Sequence, residues 1–258
     1  MKSVLFVYRQ AKVPGDRAMK EHILSFLKKH KDVKLETCIR EKIRRDKVKG
    51  KDLIIVLGGD GTFLTAAQYV GNEIMLGINP DVDSNIGFFS SADKYSCDNC
   101  MEEAIEGKLR IRKLQRVQPF INNMPLPPAL NEVFIGHKLP YITSNYHLAI
   151  KGQIDPQKSS GILIATAAGS EAWIKSAGGV SIPITDERVQ YLVRDLYKDK
   201  FTKHAYQKGF INPKDIRITA NHDLIVVIDS HKKEYKVPSG SKVIFKKAIP
   251  LNQALFHR

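Results

Sequence analysis

The chain has 258 residues, 43% of them hydrophobic, and a formal net charge of +14. That length holds one large domain or two modest ones with a real core, and the lack of any run of 18 apolar residues excludes a membrane-spanning helix. The surplus of cations favours anionic partners: nucleotides, nucleic acid or an anionic membrane face. Three cysteines are too few for a disulfide scaffold. The stretch Met1 to Arg9 is too short in its apolar part for a signal peptide and reads as a first strand, so a cytoplasmic protein is expected.

In chain order, Val4 to Val7 predicts a strand and Asp16 to Lys29 a helix whose apolar side is Met19, Ile23, Leu24, Phe26 and Leu27. A second strand is expected at Val33 to Ile39. The run from Arg40 to Lys51, with Lys42, Arg44, Arg45, Lys47 and Lys49 inside it, contains no aromatic residue and so lacks a stacking platform for single-stranded nucleic acid. It reads as a solvated basic helix or loop, or as a rim that attracts nucleotide phosphates. Leu53 to Leu57 predicts a buried parallel strand, Phe63 to Val70 a helix, and Ile74 to Ile78 another buried strand ending at Asn79-Pro80. Tyr95 to Gly107 predicts a helix closed by glycine. Inside it Cys97 and Cys100 have metal-like spacing, but no second Cys or His pair follows, so packing on one helix face is expected. This βαβ rhythm argues for a parallel sheet covered by helices.

After Lys108 the texture changes. Leu109 to Ile121 has no helical period, and short strands are expected at Val133 to Ile135, His147 to Ile150, Ile162 to Ala165, Leu224 to Ile228, Glu234 to Val237 and Lys242 to Phe245. A helix is expected near Glu171 to Ala177, and a helical or irregular segment from Glu187 to Phe201. The expected organisation is an α/β, Rossmann-like domain over 1–108 and an all-β, sandwich-like domain over 109–245. The tail from about 246 to 258 is expected to pack back on the first domain.

The chemistry centres on Gly58-Gly59-Asp60-Gly61-Thr62, which follows the strand Leu53 to Leu57 directly. A strand, a glycine turn and a helix start present main-chain N–H groups to a phosphate. The Gly-Lys-Ser/Thr ending of a Walker A loop is absent, and no third glycine stands at Leu64 to complete a dinucleotide fingerprint. A carboxylate beside phosphates is repelled unless a cation or a hydroxyl lies between them. A hydroxyl undergoing phosphorylation fits: Asp60 accepts its proton while the glycines cradle the donor. An ordinary Asp-Gly turn is the plain alternative. Asn131 and Glu132 offer a donor and acceptors side by side, as a purine edge or a ribose diol requires, or else cap a turn after Pro127-Pro128. Gly169-Ser170 opens a second anion-friendly terminus at Glu171, or is a simple N-cap. Ser170 lacks the Gly-x-Ser-x-Gly elbow of a hydrolase nucleophile, and the eight histidines form no metal set.

These stretches together resemble a known family. Gly58-Gly59-Asp60-Gly61-Thr62 resembles the signature shared by NAD kinases, diacylglycerol kinases and sphingosine kinases. Three further stretches favour the NAD kinases: Leu130-Asn131-Glu132 with Val133 to Gly136; Thr166-Ala167-Ala168-Gly169-Ser170-Glu171-Ala172-Trp173 followed by Ser176-Ala177-Gly178-Gly179; and Val226 to Asp229 before the family's Asp-Gly turn. The segment from Asn79-Pro80-Asp81 to Ser84-Asn85-Ile86-Gly87, and Lys158-Ser159-Ser160-Gly161, look closer to the mitochondrial type. Glu171, Trp173, Ser160 and Ser230 depart from the usual threonine, tyrosine, aspartate and glycine.

The resemblance implies transfer of the γ-phosphoryl of ATP to the 2′-hydroxyl of the adenosine ribose of NAD. Asp60 would be the base. Gly58, Gly59, Gly61, Thr62 and Asn79 would hold the donor, with Mg²⁺ accompanying ATP, no other metal site and no tightly bound cofactor. Asn131, Glu132, Thr166, Ala168, Gly169, Ser170, Glu171, Ala172, Trp173 and Ser176 would hold NAD. It also implies a homodimer or homotetramer, with neither membrane nor nucleic acid as partner. The alternatives are a lipid kinase, which predicts an apolar cleft or amphipathic membrane segment that the sequence lacks, and a catalytically weak nucleotide- or nucleic-acid-binding protein, favoured by the +14 charge and Glu171.

Overall fold

The computed structural model describes residues 1–10, 14–81, 87–198 and 203–256. Along the chain run β1 (Lys2–Tyr8), α1 (Pro14–Lys29), β2 (Val33–Ile39), α2 (Arg45–Val48), β3 (Leu53–Leu57), α3 (Asp60–Ala67), β4 (Ile74–Asn79), β5 (Ser90–Asp93), α4 (Cys97–Glu106) and β6 (Arg110–Leu114). There follow β7 (Val117–Ile121), β8 (Met124–Pro125), β9 (Glu132–Gly136), β10 (Ser144–Ile150), β11 (Gln153–Ser159), β12 (Ile162–Ala165), α5 (Trp173–Ser176) and β13 (Val189–Val193). The last elements are β14 (Lys208–Ile211), β15 (Ile216–Ala220), β16 (Leu224–Ile228), β17 (Glu234–Val237), β18 (Lys242–Lys247) and β19 (Leu251–Leu255). They form two compact units, 1–114 with 250–258, and 115–249.

The first unit is an α/β sheet in the order β2-β1-β3-β4-β19-β6, with β5 beside β4. All its pairings are parallel except β19 with β6. The five residues of β3 are all buried, as a strand covered on both faces must be. Each such side chain contributes about 1.5–3 kcal/mol by leaving water. Met19, Ile23 and Leu27 of α1, and Cys97, Cys100 and Met101 of α4, pack into the same core. Burial pushes both of those thiols up to about 12, so they are inert packing groups. Gly107 ends α4 in the left-handed conformation at φ +77. The chain leaves β1 for β2 on one side and returns to β3 on the other, so the sheet reverses direction of winding between β1 and β3. Open α/β sheets bind ligands at the carboxyl ends of strands at such a point.

The second unit has two six-stranded antiparallel sheets, β11-β10-β15-β18-β7-β8 and β14-β13-β12-β9-β16-β17. Period-two burial in β15 and β16 directs Ile216, Ile218, Leu224, Val226 and Ile228 into a core that also holds Tyr146 and Ile162. The helical or irregular reading of Glu187 to Phe201 is corrected: 189–193 is the strand β13, while 199–201 lie outside the described residues. Its pattern misleads because both faces are covered. Leu192 packs with Ile174 of α5, and Gln190 spends its amide on the main chain of Val180, accepting at 2.9 Å and donating at 2.7 Å. The helix expected at Glu171 to Ala177 is a 3-10 turn, Ala168–Glu171, followed by the short α5.

Candidate active site

The glycine turn leaves β3 and enters α3 three residues earlier than its apolar pattern suggested, with Asp60 in the first helical turn. Gly58 sits at φ +147, and a Cβ there would lie 2.7 Å from Thr62 Oγ1. Backbone conformation and close approach both demand glycine at that position. Gly59 and Gly61 differ: an added Cβ meets nothing within 4 Å at either. They line a cavity of about 490 Å³ together with Asp60, Thr62, Asn79, Pro80, Asp81, Gly87, Arg9 and Arg40. Arg9, Arg40, the turn and Asn79 all follow or end the strands β1 to β4, at the switch point. In the first turn of α3 the Thr62 N–H is spent on Gly59 O at 2.9 Å, which leaves the N–H groups of Asp60 and Gly61, with the helix dipole, to face anions.

The Asp60 side chain is aimed by the main chain. Its Oδ2 accepts the main-chain N–H of Phe88 at 3.1 Å and its Oδ1 that of Phe89 at 3.0 Å. Each oxygen keeps a second lone pair for a substrate proton. Asn79 is buried and its Oδ1 accepts the Asp81 N–H at 3.1 Å. Arg9 donates through Nη2 to Asp16 at 2.9 Å, while its Nε is buried with no acceptor among the described residues. Arg40 pairs with Glu41 at 2.6 Å. Arg9 escaped sequence reasoning as one cation among 41; its place directly after β1 was the available signal. The resembling residues Ser84, Asn85 and Ile86 lie outside the described residues.

In the second unit, Asn131, Glu132, Thr166, Gly169 and Ser170 form one buried knot. Thr166 donates its hydroxyl to Leu130 O and its N–H to Asn131 O at 2.9 Å. Gly169 is packed so tightly that a Cβ would fall 2.1 Å from Asn131 O. Ser170 does not cap a helix: its Oγ donates to Ala167 O at 2.8 Å and accepts the Ile182 N–H at 3.1 Å. Beneath the knot lies the buried Asp229, whose carboxylate accepts N–H groups from Leu130 at 3.0 Å, Asn131 at 2.7 Å and Glu132 at 3.2 Å. Burial pushes its carboxyl up to about 7 against the pull of those donors. Ser230 stands at φ +53, a conformation glycine adopts freely, and donates to Glu132 Oε1 at 3.0 Å.

Two acceptors in this knot are left over. Asn131 Oδ1 and Glu132 Oε2 are buried without a partner among the described residues. Each such orphan costs about 1–3 kcal/mol, and two at adjacent positions call for a ligand bearing donors. Burial also raises the Glu132 carboxyl above its usual range. Around them Ala168 is buried and Ala172 half-buried; Trp173 lies half-buried with its ring 5.2 Å from that of Phe134 and the Arg194 guanidinium 5.1 Å from its own. Glu171 and Ser176 are exposed. Glu171 is bound to Lys175, which holds its carboxyl below the usual range and cancels its charge locally. Among the described residues no group of three or more His, Cys, Asp or Glu side chains forms a metal site, and no helix is long and apolar enough to cross a membrane.

Residues 2–110 match the family described as the ATP-NAD kinase N-terminal domain. An NAD kinase of Methanothermobacter thermautotrophicus is 29% identical over 76% of this chain and 69% of its own. A probable NADH kinase of Oryza sativa is 29% identical over 56% of this chain, and this chain spans about half, 51%, of that relative's length. Two crystal structures share the fold. An NAD kinase from Archaeoglobus fulgidus in complex with ATP superposes with a TM-score of 0.79 at 22% identity, over 97% of this chain and 92% of its own. Yeast NADH kinase complexed with NADH gives 0.81 at 16%, over 100% and 84%.

Proposed function

We propose that the chain is an NAD kinase, transferring the γ-phosphoryl group of ATP to the 2′-hydroxyl of the adenosine ribose of NAD to give NADP, a reading supported by the match of residues 2–110 to the ATP-NAD kinase N-terminal domain. The observation that carries this is the cavity at the switch point, where Gly59 and Gly61 leave main chain open beside the Asp60 carboxylate and two guanidiniums. The unpartnered acceptors of Asn131 and Glu132 favour a nucleoside acceptor over a lipid, because they match amine and hydroxyl donors.

The first unit acts on the donor. Gly58 shapes the turn, Gly59, Gly61, Thr62 and Asn79 line the donor cavity, and Arg9 and Arg40 neutralise its phosphates. Asp81 brings a hard oxygen of the kind Mg²⁺ takes alongside substrate phosphates, and the ion, when bound, would offset charge on the transferring group. Asp60 accepts the proton of the ribose hydroxyl as the new P–O bond forms. In the second unit, Asn131 and Glu132 hold the adenosine part of NAD, Trp173 offers an aromatic face, and the main chain of the Thr166 to Ser176 segment completes the acceptor site. A homodimer or homotetramer in the cytoplasm is part of the same reading, supported by the family resemblance. Incubation of purified protein with ATP, Mg²⁺ and NAD, followed by enzymatic detection of NADP, tests the reaction. A parallel arm with NADH tests the redox preference. No phosphorylated dinucleotide in either arm overturns the reading.

Two substitutions separate folding from donor binding. Gly58→Ala is expected to destabilise by about 1–3 kcal/mol, from strain and overlap with Thr62. Gly61→Ala, in open space within the first turn of a helix, is expected to keep the melting temperature while raising KM for ATP about tenfold or more. Equal losses of stability in the two variants would refute the distinction. Arg9→Gln is expected to raise KM for ATP roughly 10- to 100-fold, the worth of a charge-assisted hydrogen bond, and to leave KM for NAD within twofold. Steady-state kinetics varying each substrate would read the split.

A further inference from the structure

A second basic cavity lies in the β unit, apart from the residues of the acceptor knot. It measures about 340 Å³ and is lined by Ala149, Lys151, Gly152, Lys214, Asp215 and Arg217, with Ile216. Arg217 belongs to β15, where it pairs with Ala149 of β10 and Ile244 of β18, on the face opposite the buried Ile216 and Ile218. Lys151 and Gly152, at φ +49 and +86, make the tight turn between β10 and β11. The Lys151 N–H donates to Asp215 O at 2.8 Å, which ties this turn to the 3-10 turn Pro213–Asp215 carrying Lys214. The backbone therefore assembles the three cations, none of which makes a side-chain bond of its own among the described residues.

Their charge is only partly offset. Lys175, Arg188 and Lys247 elsewhere in this unit each find a carboxylate at 2.5–2.7 Å. Among the described residues Lys151, Lys214 and Arg217 have no ion pair, and Asp215 is the one carboxylate lining the cavity. The Arg217 Nε is buried with no acceptor. Like charges held together repel, and a buried guanidinium N–H without an acceptor is costly. An anion with several acceptor oxygens relieves both. A phosphate group matches best: its oxygens fit the arginine fork, its charge of up to −2 balances the net charge of the lining, and the volume suits a small molecule.

We propose that this cavity is a second anion site, taking a phosphate group of a small molecule and distinct from the glycine turn. The proposal is independent of the assigned reaction. Isothermal titration at fixed ionic strength, with inorganic tripolyphosphate in one arm and ADP in the other, would distinguish free phosphate from a nucleotide as its source. The variants are Arg217→Gln and the double Lys151→Gln/Lys214→Gln. The expected result is that wild type binds at two classes of site in at least one arm. In each variant one class weakens tenfold or more while the class removed by Gly61→Ala persists, and NADP formation at saturating ATP stays within twofold. The double variant changes only exposed lysines, so it decides the matter should Arg217→Gln fold poorly. Isotherms in both arms that are the same for wild type and the double variant would overturn the proposal.

Discussion

Asp60→Asn is expected to slow NADP formation by roughly two to four orders of magnitude, the usual worth of a positioned general base. NAD affinity is expected to stay within about threefold, because the residues assigned to NAD belong to the β unit. The physical reason lies in how the carboxylate is held. The N–H groups of Phe88 and Phe89 each donate to one of its oxygens, which fixes its direction. Asparagine keeps the size and one acceptor, but its amide cannot take a proton from a ribose hydroxyl. It also turns an NH₂ toward one of those two donors, so a loss of stability of about 1–2 kcal/mol is expected alongside. Single-turnover assays with saturating ATP, read beside a titration of NAD and a melting curve, separate these effects. Near-normal turnover would remove Asp60 from the role of base. A fall in turnover matched by an equal fall in ATP affinity would make Asp60 an anchor for the Phe88–Phe89 segment instead.

How much of this was legible before the coordinates depended on how local each signal was. The bounds of β3, β12 and β16 follow from runs of apolar residues, and those of β2 and β17 from polar–apolar mixtures, between turn markers; the structure repeats all five residue for residue. Strands without either signal were missed. β5 is Ser-Ser-Ala-Asp, held only by its pairing with β4. β11 contains Pro156, which an edge strand tolerates because one side of its backbone has no partner. Pairing across the sheet, which decided both, leaves no mark in the local sequence.

The candidate site divides in the same way. Gly58 to Thr62 announce a phosphate because the requirement is contiguous: a strand, a turn without side chains and a helix start. Arg9 and Arg40 join that turn only through the order β2-β1-β3-β4, which brings the ends of four strands to one cavity. Asn131 and Glu132 were visible as residue types. That two of their acceptors are buried without partners, and that an aspartate 97 to 99 residues away orients their main chain, required the fold.

Asp229→Ala puts that orientation to the test and is expected to cost the β unit roughly 3–5 kcal/mol, by leaving three buried N–H groups without acceptors. Alanine must also adopt the left-handed φ of +50 that aspartate tolerates better. A fall in melting temperature of about 10 °C corresponds to this loss. KM for NAD should rise at least tenfold, because Asn131 and Glu132 lose the anchor that aims them. Asp229→Asn behaves differently, since Oδ1 accepts from all of Leu130, Asn131 and Glu132 and an amide oxygen can replace it, while only the shared Leu130 contact to Oδ2 at 3.1 Å is lost. It should cost about 1 kcal/mol and keep KM for NAD near normal. The pair also has a pH signature. Buried Asp229, with its carboxyl pushed up to about 7, holds a proton in the native state over a range where the unfolded chain, near its ordinary value of about 4, does not. Its contribution to stability is therefore present at low pH and lost as pH rises toward and through 7. Burial of Glu132 acts with the same sign. The salt-bridged Glu36 and Asp186, held low by Lys51 and Arg188, act with the opposite sign, but only below the ordinary carboxylate range. Melting temperatures from pH 5 to pH 8 should therefore fall in the wild type and flatten in Asp229→Asn. A slope that survives in the asparagine variant would assign the titration to another group and leave Asp229 as a fixed anion.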